Sequence, residues 1–393
     1  MLGNKALAKC ITNTAELTPY VKAVRKVYAT GLQSNVLKAA VPRVHGVLDK
    51  MNEIIEQQRS TGGAVELQAL CVKMTLDVIG VVAFDTTLGG LDGGSALYQG
   101  IIDVGHYLST QSLNPFKALY RTLFPNSKVA QEYRASLHQL TAEYDKLTKE
   151  IIAREDAPGE DEPIWAGLKR FIDPETGEPL LYDSFLTEVA LVVMSGMDTT
   201  GHQLAWILAL LASNPDKVEK LMEELKSRGL SGENARNATF ADLAELPYLT
   251  AIIKEGMRIA HAVFGPFIRS VPHDMSILGY RVPAGTVIIF PSTRLMCAEA
   301  EWGDPDVFRP ERWLSGEDMS QKLCLGFSYG PRDCIGQRLA MMEMRMAVIR
   351  LVAKFKFSAT VPFDDLMNKV SNGVAIEAKD GVWLNVAERD HAV

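Results

Sequence analysis

Residues 327–336 read FSYGPRDCIG and stand directly before QRLAMMEMRMAVIRLVAKF, a pattern typical of a helix. The sequence therefore predicts Cys334 at a helix N-terminus, where unpaired N–H groups and the helix dipole favour a thiolate. Arg332 can reach an anionic ligand edge, and Gly330 and Gly336 let the backbone approach a flat ligand closely. An isolated cysteine is more often a buried structural residue. The complete pattern favours a ligand-binding loop instead.

The composition is that of a large globular protein. Of the 393 residues 47% are hydrophobic, and the net charge of −7 is not concentrated in blocks, so nothing points to nucleic acid. The five cysteines are widely spaced without a CxxC pair, which argues against a disulfide framework and a zinc site. No apolar run approaches the roughly 20 residues of a membrane span. We expect a reducing compartment and no anchor in the chain as given.

Helical periodicity dominates the first half of the chain. Residues 29–154 are predicted to be mostly helical, and residues 155–182, rich in Pro, Gly and acids, an exposed connection. Asp183 is predicted to cap a helix that runs to about Ala212 and is apolar on nearly every face, which places it in the protein's centre. The polar stretch SGMDTTGHQ interrupts its middle, and such a local conflict usually marks function.

The second half adds shorter elements. Asn214-Pro215 is predicted to start a helix, Thr239 with Asp242 resembles a capping box, and a helix follows over residues 246–260. Residues 268–292 alternate apolar and polar side chains, which indicates short strands in a hairpin. Residues 372–386 are predicted to form a final hairpin. The expected fold class is mainly α with a small β region.

The loop matches every fixed position of Phe-x-x-Gly-x-Arg-x-Cys-x-Gly, the haem-binding signature of the cytochrome P-450 family, and the chain resembles that family. The resemblance implies the cytochrome P-450 fold and haem b, with the Cys334 thiolate as axial ligand of its iron. It also implies that Phe327 packs near the sulfur, that Gly336 borders the cofactor and that Arg332 binds a haem propionate. A thiolate ligand favours O–O cleavage.

Two further arginines resemble propionate ligands of the family. Arg269 and the residues after it have the spacing of the family's strand pair, so Arg269 corresponds to the arginine of that pair. Arg25 resembles the arginine of the Trp-x-x-x-Arg helix, although Val21 stands in the place of the tryptophan. The resemblance also implies a structural network that holds the cysteine loop. It joins Glu255 and Arg258 to Arg312 of a Pro-Glu-Arg-Trp segment; without the resemblance, the first two would be an ordinary exposed ion pair.

The polar stretch resembles the family's oxygen-handling motif. Asp198 and Thr199 match its acid–threonine pair, which relays protons to bound oxygen. The plainer alternative is a buried polar pair bonded to backbone. Ser195 stands where the family usually has Ala or Gly, so its hydroxyl could bind substrate or water. By the same resemblance Ser195, Val263, Phe267 and Val374 line a substrate pocket.

The activity implied is insertion of one oxygen atom from O₂ into a hydrophobic small molecule. Electrons would come from NADPH through a flavoprotein, NADPH-cytochrome reductase, docking on the cysteine side. Candidate docking charges are Lys22, Lys26, Lys322 and Arg338. Two alternatives stay open: a relative that rearranges peroxides without a reductase, and a non-catalytic or haem-deficient remnant of the family.

The resemblance divides the chain into an unmatched segment (1–20), a catalytic domain (21–386) and a short tail (387–393). The family's membrane anchor, first helices and first strands precede the matched part, so we expect the chain to be N-terminally truncated. Members of the microsomal type lie on the cytosolic face of the endoplasmic reticulum membrane. The chain as given is expected in the cytosol.

Overall fold

The computed structural model describes residues 17–107, 116, 119–120, 123–155, 162–263, 267–314, 325–372 and 375–389. These residues form a mainly helical fold with small sheets, as the sequence predicts. The helices are α1 Pro19–Gly31, α2 Ser34–Ser60, α3 Leu67–Ala83, α4 Ala96–Tyr107, α5 Lys128–Ala153, α6 Ile164–Lys169, α7 Tyr182–Ser213, α8 Pro215–Ser227, α9 Pro247–Ile259, α10 Ser292–Met296, α11 Glu299–Trp302, α12 Gln337–Lys354 and α13 Phe363–Met367.

The long helix α7 runs through the centre, because its side chains are buried on nearly every face. Two glycines let it approach α3 closely. A Cβ atom on Gly196 would lie 2.6 Å from a side-chain carbon of Ile79, and one on Gly201 would lie 2.6 Å from the Val72 Cα atom. The predicted cap is wrong: α7 begins at Tyr182 after Leu181, and Asp183 lies inside the first turn. There its carboxylate meets the positive end of the helix dipole.

The next two helices, α8 and α9, begin within one residue of where the sequence predicts. Helix α8 follows Asn214 with proline at its first position. Thr239 and Asp242 form a reciprocal pair: the Thr239 N–H donates to the Asp242 carboxylate at 2.7 Å, and the Asp242 N–H donates to the Thr239 hydroxyl at 3.3 Å. Helix α9 covers the predicted residues within one at each end.

The segment between α5 and α7 is not simply an exposed connection. It contains the short helix α6, in which Ile164, Trp165, Ala166 and Leu168 are buried. Helix α6 packs on α1, where a Cβ atom on Gly31 would lie 2.7 Å from the Ile164 side chain. Four apolar residues among many Pro, Gly and acidic ones are enough to bury a helical turn. The average composition of the segment therefore does not predict the burial of this short helix.

The predicted central hairpin region is present. Strand β2 (Phe267–Ser270) pairs antiparallel with β5 (Val287–Phe290), and β3 (Met275–Ile277) pairs with β4 (Tyr280–Val282). Between β3 and β4, Leu278 and Gly279 both have positive φ, 51° and 86°. This is the geometry of a tight two-residue hairpin loop.

The predicted final hairpin is wrong, because its two strands join different sheets. Strand β8 (Ile376–Ala378) pairs with β7 (Val370–Asn372). Strand β9 (Trp383–Glu388) pairs with β6 (Phe355–Ala359) and β1 (Val65–Glu66). Side chains of α3 and of Glu66, which precedes it, hold β8 and β9 in these separate sheets. The Gln68 amide bonds both backbone groups of Ala378, at 2.8 and 3.1 Å, and Glu66 accepts the Val382 N–H at 3.1 Å.

Within the described part of the chain, none of the helices has both the length and the apolar composition that crossing a membrane requires.

Candidate active site

A cavity of about 1110 Å³ lies between α7 and the loop that precedes α12. This loop, residues 325–336, is called the cysteine loop below. The cavity is larger than the roughly 300–1,000 Å³ of an ordinary small-molecule pocket. Cys334 lines one side, and Asp198 and Thr199 of α7 also line it. One space therefore joins the two motifs that the sequence singles out.

Local hydrogen bonds shape the cysteine loop. The Cys334 N–H donates to the Phe327 carbonyl at 2.9 Å, and Phe327 itself lines the cavity. Gly330 has φ of 85°, in the left-handed region that favours glycine. Gly336 is the N-cap of α12, and a Cβ atom there would lie 3.8 Å from the Cys334 sulfur. A side chain at Gly336 would thus enter the space beside the sulfur.

The residues around Cys334 do not by themselves favour the anionic form of its thiol. Burial raises its pKa, and the charge of Asp333 raises it further. The N–H groups of Gly336 and Gln337 and the charge of Arg25 lower it, as expected, but burial outweighs them. The helix end favours the thiolate, as the sequence indicates, but it does not by itself bring the pKa of this thiol below its usual range. A metal ion at the sulfur is what would hold it deprotonated.

Three predicted propionate ligands, Arg25, Arg269 and Arg332, line the same cavity. Burial, and then the charges of Arg25 and Arg269, lower the pKa of Arg332. A Cys334 residue facing the cavity, together with three converging cations, fits a flat anionic cofactor with a metal centre, such as haem. In this arrangement an anionic edge would relieve the repulsion among the guanidinium groups.

Helix α1 positions Arg25. The hydroxyls of Tyr20 and Tyr28, the second and tenth residues of this helix, both donate to the buried carboxylate of Glu188 on α7, the first of them at 2.9 Å. The Arg25 guanidinium donates to the carbonyl of Asp333 at 3.2 Å and to its carboxylate at 3.0 Å. The first helix is thereby tied both to the central helix and to the residue next to Cys334.

On the opposite wall, the Thr199 hydroxyl donates to the Ser195 carbonyl one turn back, at 3.2 Å. Thr75 of α3 donates to the Met197 carbonyl at 2.8 Å. Hydroxyls thus bond two backbone carbonyls within one turn of α7. The carboxylate of Asp198 is mostly buried, with 19% of its side chain exposed.

Two residues that sequence reasoning missed adjoin Asp198. His202, one turn later, is buried, and its Nδ1 atom lies 2.7 Å from the Asp198 carbonyl and 3.4 Å from its carboxylate. The other ring nitrogen lies 3.5 Å from Glu377 of β8. A histidine in an apolar helix was a usable signal, whereas Glu377 depends on where β8 lies.

The predicted structural network is assembled around one carboxylate. Glu255 receives two hydrogen bonds from Arg258, at 2.9 and 3.0 Å, and one from Arg312 at 2.9 Å. Glu255 and Arg258 have no exposed side-chain surface. Two tryptophans complete the network. Trp313 donates to Glu255 at 2.9 Å, and the Trp302 ring lies 5.1 Å from the Arg258 guanidinium carbon.

Two more residues at the cavity were not singled out by sequence reasoning. The ring nitrogens of His261 lie 2.7 Å from the Val263 carbonyl and 3.1 Å from the Gly326 carbonyl, so this side chain links the pocket wall to the cysteine loop. Glu343 of α12 is buried, and burial raises the pKa of its carboxyl well above the usual range.

Of the predicted substrate-pocket residues, Ser195 and Val263 line the cavity. Val374 and the side chain of Phe267 lie outside the described part of the structure. Neighbouring apolar side chains that line the cavity include Ile79, Ile101, Leu191, Val192, Met194 and Ala375.

The family model described as cytochrome P450 matches residues 7–383. The chain belongs to the cytochrome P450 family. Among its relatives is cytochrome P450 3A17 of Cavia porcellus, 26% identical over 95% of this chain and 74% of that protein. Cytochrome P450 4ae1 of Drosophila melanogaster is 27% identical over 85% and 68%. The crystal structure of the cytochrome P450DA haem domain is similar in fold, with a TM-score of 0.77, 22% identity and coverage of 93% and 77%.

Membership of the cytochrome P450 family supports haem-thiolate monooxygenase activity in general. It implies a haem with a cysteine thiolate ligand, O₂, a small-molecule substrate and a redox partner.

Proposed function

We propose that this chain is an NADPH-dependent monooxygenase that inserts one oxygen atom from O₂ into a hydrophobic small molecule, with haem b as its cofactor. One observation carries the proposal. One cavity is lined both by Cys334 with the three arginines and by the Asp198–Thr199 pair. Haem bound there supplies the oxygen chemistry, which a thiolate ligand directs toward O–O cleavage.

Each set of residues has a distinct task. Cys334 would supply the thiolate ligand of the haem iron, and Arg25, Arg269 and Arg332 would bind the propionates. Asp198 and Thr199 would hold or move protons at the part of the cavity wall that α7 forms. Glu255, Arg258 and Arg312 keep the cysteine loop in shape and do not touch substrate.

The cavity wall favours an apolar substrate. Aliphatic side chains from α3, α4 and α7 line it, and these cannot satisfy buried polar groups of a ligand. Ser195 adds one hydroxyl close to the Thr199 backbone contact, so one polar group of a substrate could be oriented there. The substrate class that fits is a largely hydrophobic small molecule with few polar groups.

Electrons are proposed to come from NADPH through the flavoprotein NADPH-cytochrome reductase, which docks on the cysteine side. Lys22, Lys26 and Arg338 are exposed, and they neighbour in sequence the cavity-lining Arg25 and Cys334. Lys322 lies outside the described residues. Exposed cations would steer an acidic partner in a salt-dependent way. This pairing would place the enzyme at the cytosolic face of the endoplasmic reticulum membrane.

The proton-handling part is tested by Thr199→Ala in the haem-loaded protein with reductase and a substrate found by a spectral-shift screen. Product formed per NADPH should fall several-fold, with peroxide and water taking the remaining electrons, because the site would lose the hydroxyl that orders its proton source. Thr187→Ala is the matched control, since the Thr187 hydroxyl makes the same one-turn contact, to the Asp183 carbonyl at 2.7 Å. Equal product per NADPH in both variants and the parent would contradict the assignment.

A further inference from the structure

His202 lies between two carboxylates that belong to different parts of the fold. It is on α7, with only 4% of its side chain exposed, one turn after Asp198. One ring nitrogen faces Asp198 and the other faces Glu377, at 3.4 and 3.5 Å. A neutral imidazole can donate from only one nitrogen, whereas the protonated ring donates from both. Two carboxylates on opposite edges of the ring therefore match the charged form.

The fold brings Glu377 to this position through backbone anchors on both sides. Trp206 of α7 donates to the Ile376 carbonyl at 3.0 Å, and the Ile376 N–H donates to the Ala262 carbonyl at 2.7 Å. Gln68 holds Ala378. Because side chains alternate along a strand, burial of Ile376 and Ala378 against the core turns Glu377 the other way, and it lines the cavity.

The surrounding charges favour a protonated ring. Burial lowers the pKa of His202, but hydrogen bonds to Asp198 and Glu377 outweigh burial and raise the pKa to about 10. The hydrogen bond with His202 lowers the pKa of Glu377, with a smaller contribution from the charge of His106. Tyr98 of α4 also faces the group: burial and then the charges of Glu66, Glu377 and Asp198 raise its pKa to about 12. Tyr98 therefore stays neutral while His202 carries a charge.

We propose that His202 is a positioning residue that holds the carboxylates of Asp198 and Glu377 in place, so that Asp198 faces the cavity in one orientation. The contact also joins α7 to β8 beside the cavity. The catalytic consequence rests on the proposed function, whereas the ion-pair arrangement does not. Without the ring, two carboxylates would lie near each other with no cation between them.

The first test does not depend on activity. The ring-proton resonances of His202, assigned by comparison with His202→Gln, should titrate near pH 10 instead of near 6.5, and Glu377→Gln should lower that value. If His202 titrates below pH 7 in the parent, or if Glu377→Gln leaves the titration unchanged, the proposal is wrong. The parent and Glu377→Gln spectra decide the matter even if His202→Gln does not fold.

Linkage gives the sign of a second readout. Because the folded-state pKa lies above the ordinary 6.5, the stabilisation from His202 is complete below pH 6.5 and is lost as pH rises toward 10. The difference in melting temperature between parent and His202→Gln should therefore shrink from pH 7 to pH 10. His45→Gln is the matched control. His45 is a buried helix histidine, 2.8 Å from the Ala238 carbonyl, whose pKa burial lowers. The difference in melting temperature between the parent and His45→Gln should stay constant above pH 7.

The third readout is product formed per NADPH by the haem-loaded protein. His202→Gln should lower this ratio several-fold and change its pH profile, while the spectrum of the reduced, CO-bound protein stays that of the parent. If the ratio and its profile are unchanged, the positioning role is wrong although the proposed function stands. If the parent itself shows neither that spectrum nor turnover, the proposed function fails, and the titration alone decides the ion-pair arrangement.

Discussion

The carboxylate of Glu255 shows how much can depend on one side chain. It accepts hydrogen bonds from two buried guanidinium groups, from the Trp313 indole and from the Arg309 N–H. Burying charged groups is costly unless each has partners, so this network is stable only while the carboxylate is present. Arg312 also donates to the carbonyls of Trp302 and Asp304, which fixes the backbone at these two residues.

Replacing Glu255 with Gln should destabilise the protein by about 3–5 kcal/mol, because two buried cations would lose their counter-charge. Denaturant unfolding monitored by circular dichroism measures this. Glu245→Gln is the control: Glu245 pairs with Arg228 at the surface, where side chains are 59% and 44% exposed, and such pairs contribute about 0–1 kcal/mol. Similar losses in the two variants would contradict the buried-network account.

At the level of elements, the contact between α3 and α7 shapes the cavity wall that contains Asp198 and Thr199. The two helices lie close together at the polar stretch in α7, since Gly201 leaves no room for a side chain beside Val72. Thr75, on the facing side of α3, bonds the Met197 carbonyl. Small residues and hydroxyls in the middle of α7 therefore serve both close packing and the site.

Gly201→Ala should destabilise the protein by about 1–3 kcal/mol, because its Cβ atom would meet backbone rather than a movable side chain. Gly46→Ala is the matched control. Gly46 is exposed within α2 and a Cβ atom there meets nothing within 4 Å, so alanine should stabilise by up to about 1 kcal/mol. Thermal melts of both variants test this, and a neutral or stabilising Gly201→Ala would refute the close-packing interpretation.

The two halves of the site differ in how far the sequence predicts them. The cysteine loop and the polar stretch of α7 are local patterns, so adjacent residues alone carry the resemblance to the family's motifs and the roles that it implies. The position of Glu377 depends on β8 leaving the expected hairpin to pair with β7, a choice made by Gln68 and Trp206 far away in the chain. The pKa of the Cys334 thiol is a third case. Burial in the fold, which the sequence does not give, raises this pKa more than the N–H groups at the start of α12 lower it.

For the whole molecule, the central feature is one cavity built from segments that are distant in sequence. Arg25 reaches Asp333 across 308 residues, and α1 is held to α7 through Glu188. The three arginines and Cys334 come from α1, β2 and the cysteine loop. No single element makes the cofactor site, so its geometry depends on the integrity of the entire fold.

The most direct test of the account is the absorption spectrum of the reduced, CO-bound protein after haem loading, compared with Cys334→Ser. The parent should show the thiolate-type spectrum and the variant should lose it, because an alcohol does not ionise to replace the sulfur ligand under ordinary conditions. Cys297→Ser, which removes a free, accessible cysteine that does not line the cavity, should keep the parent's spectrum. An unchanged thiolate-type spectrum in Cys334→Ser would contradict the assignment of Cys334 as the haem ligand.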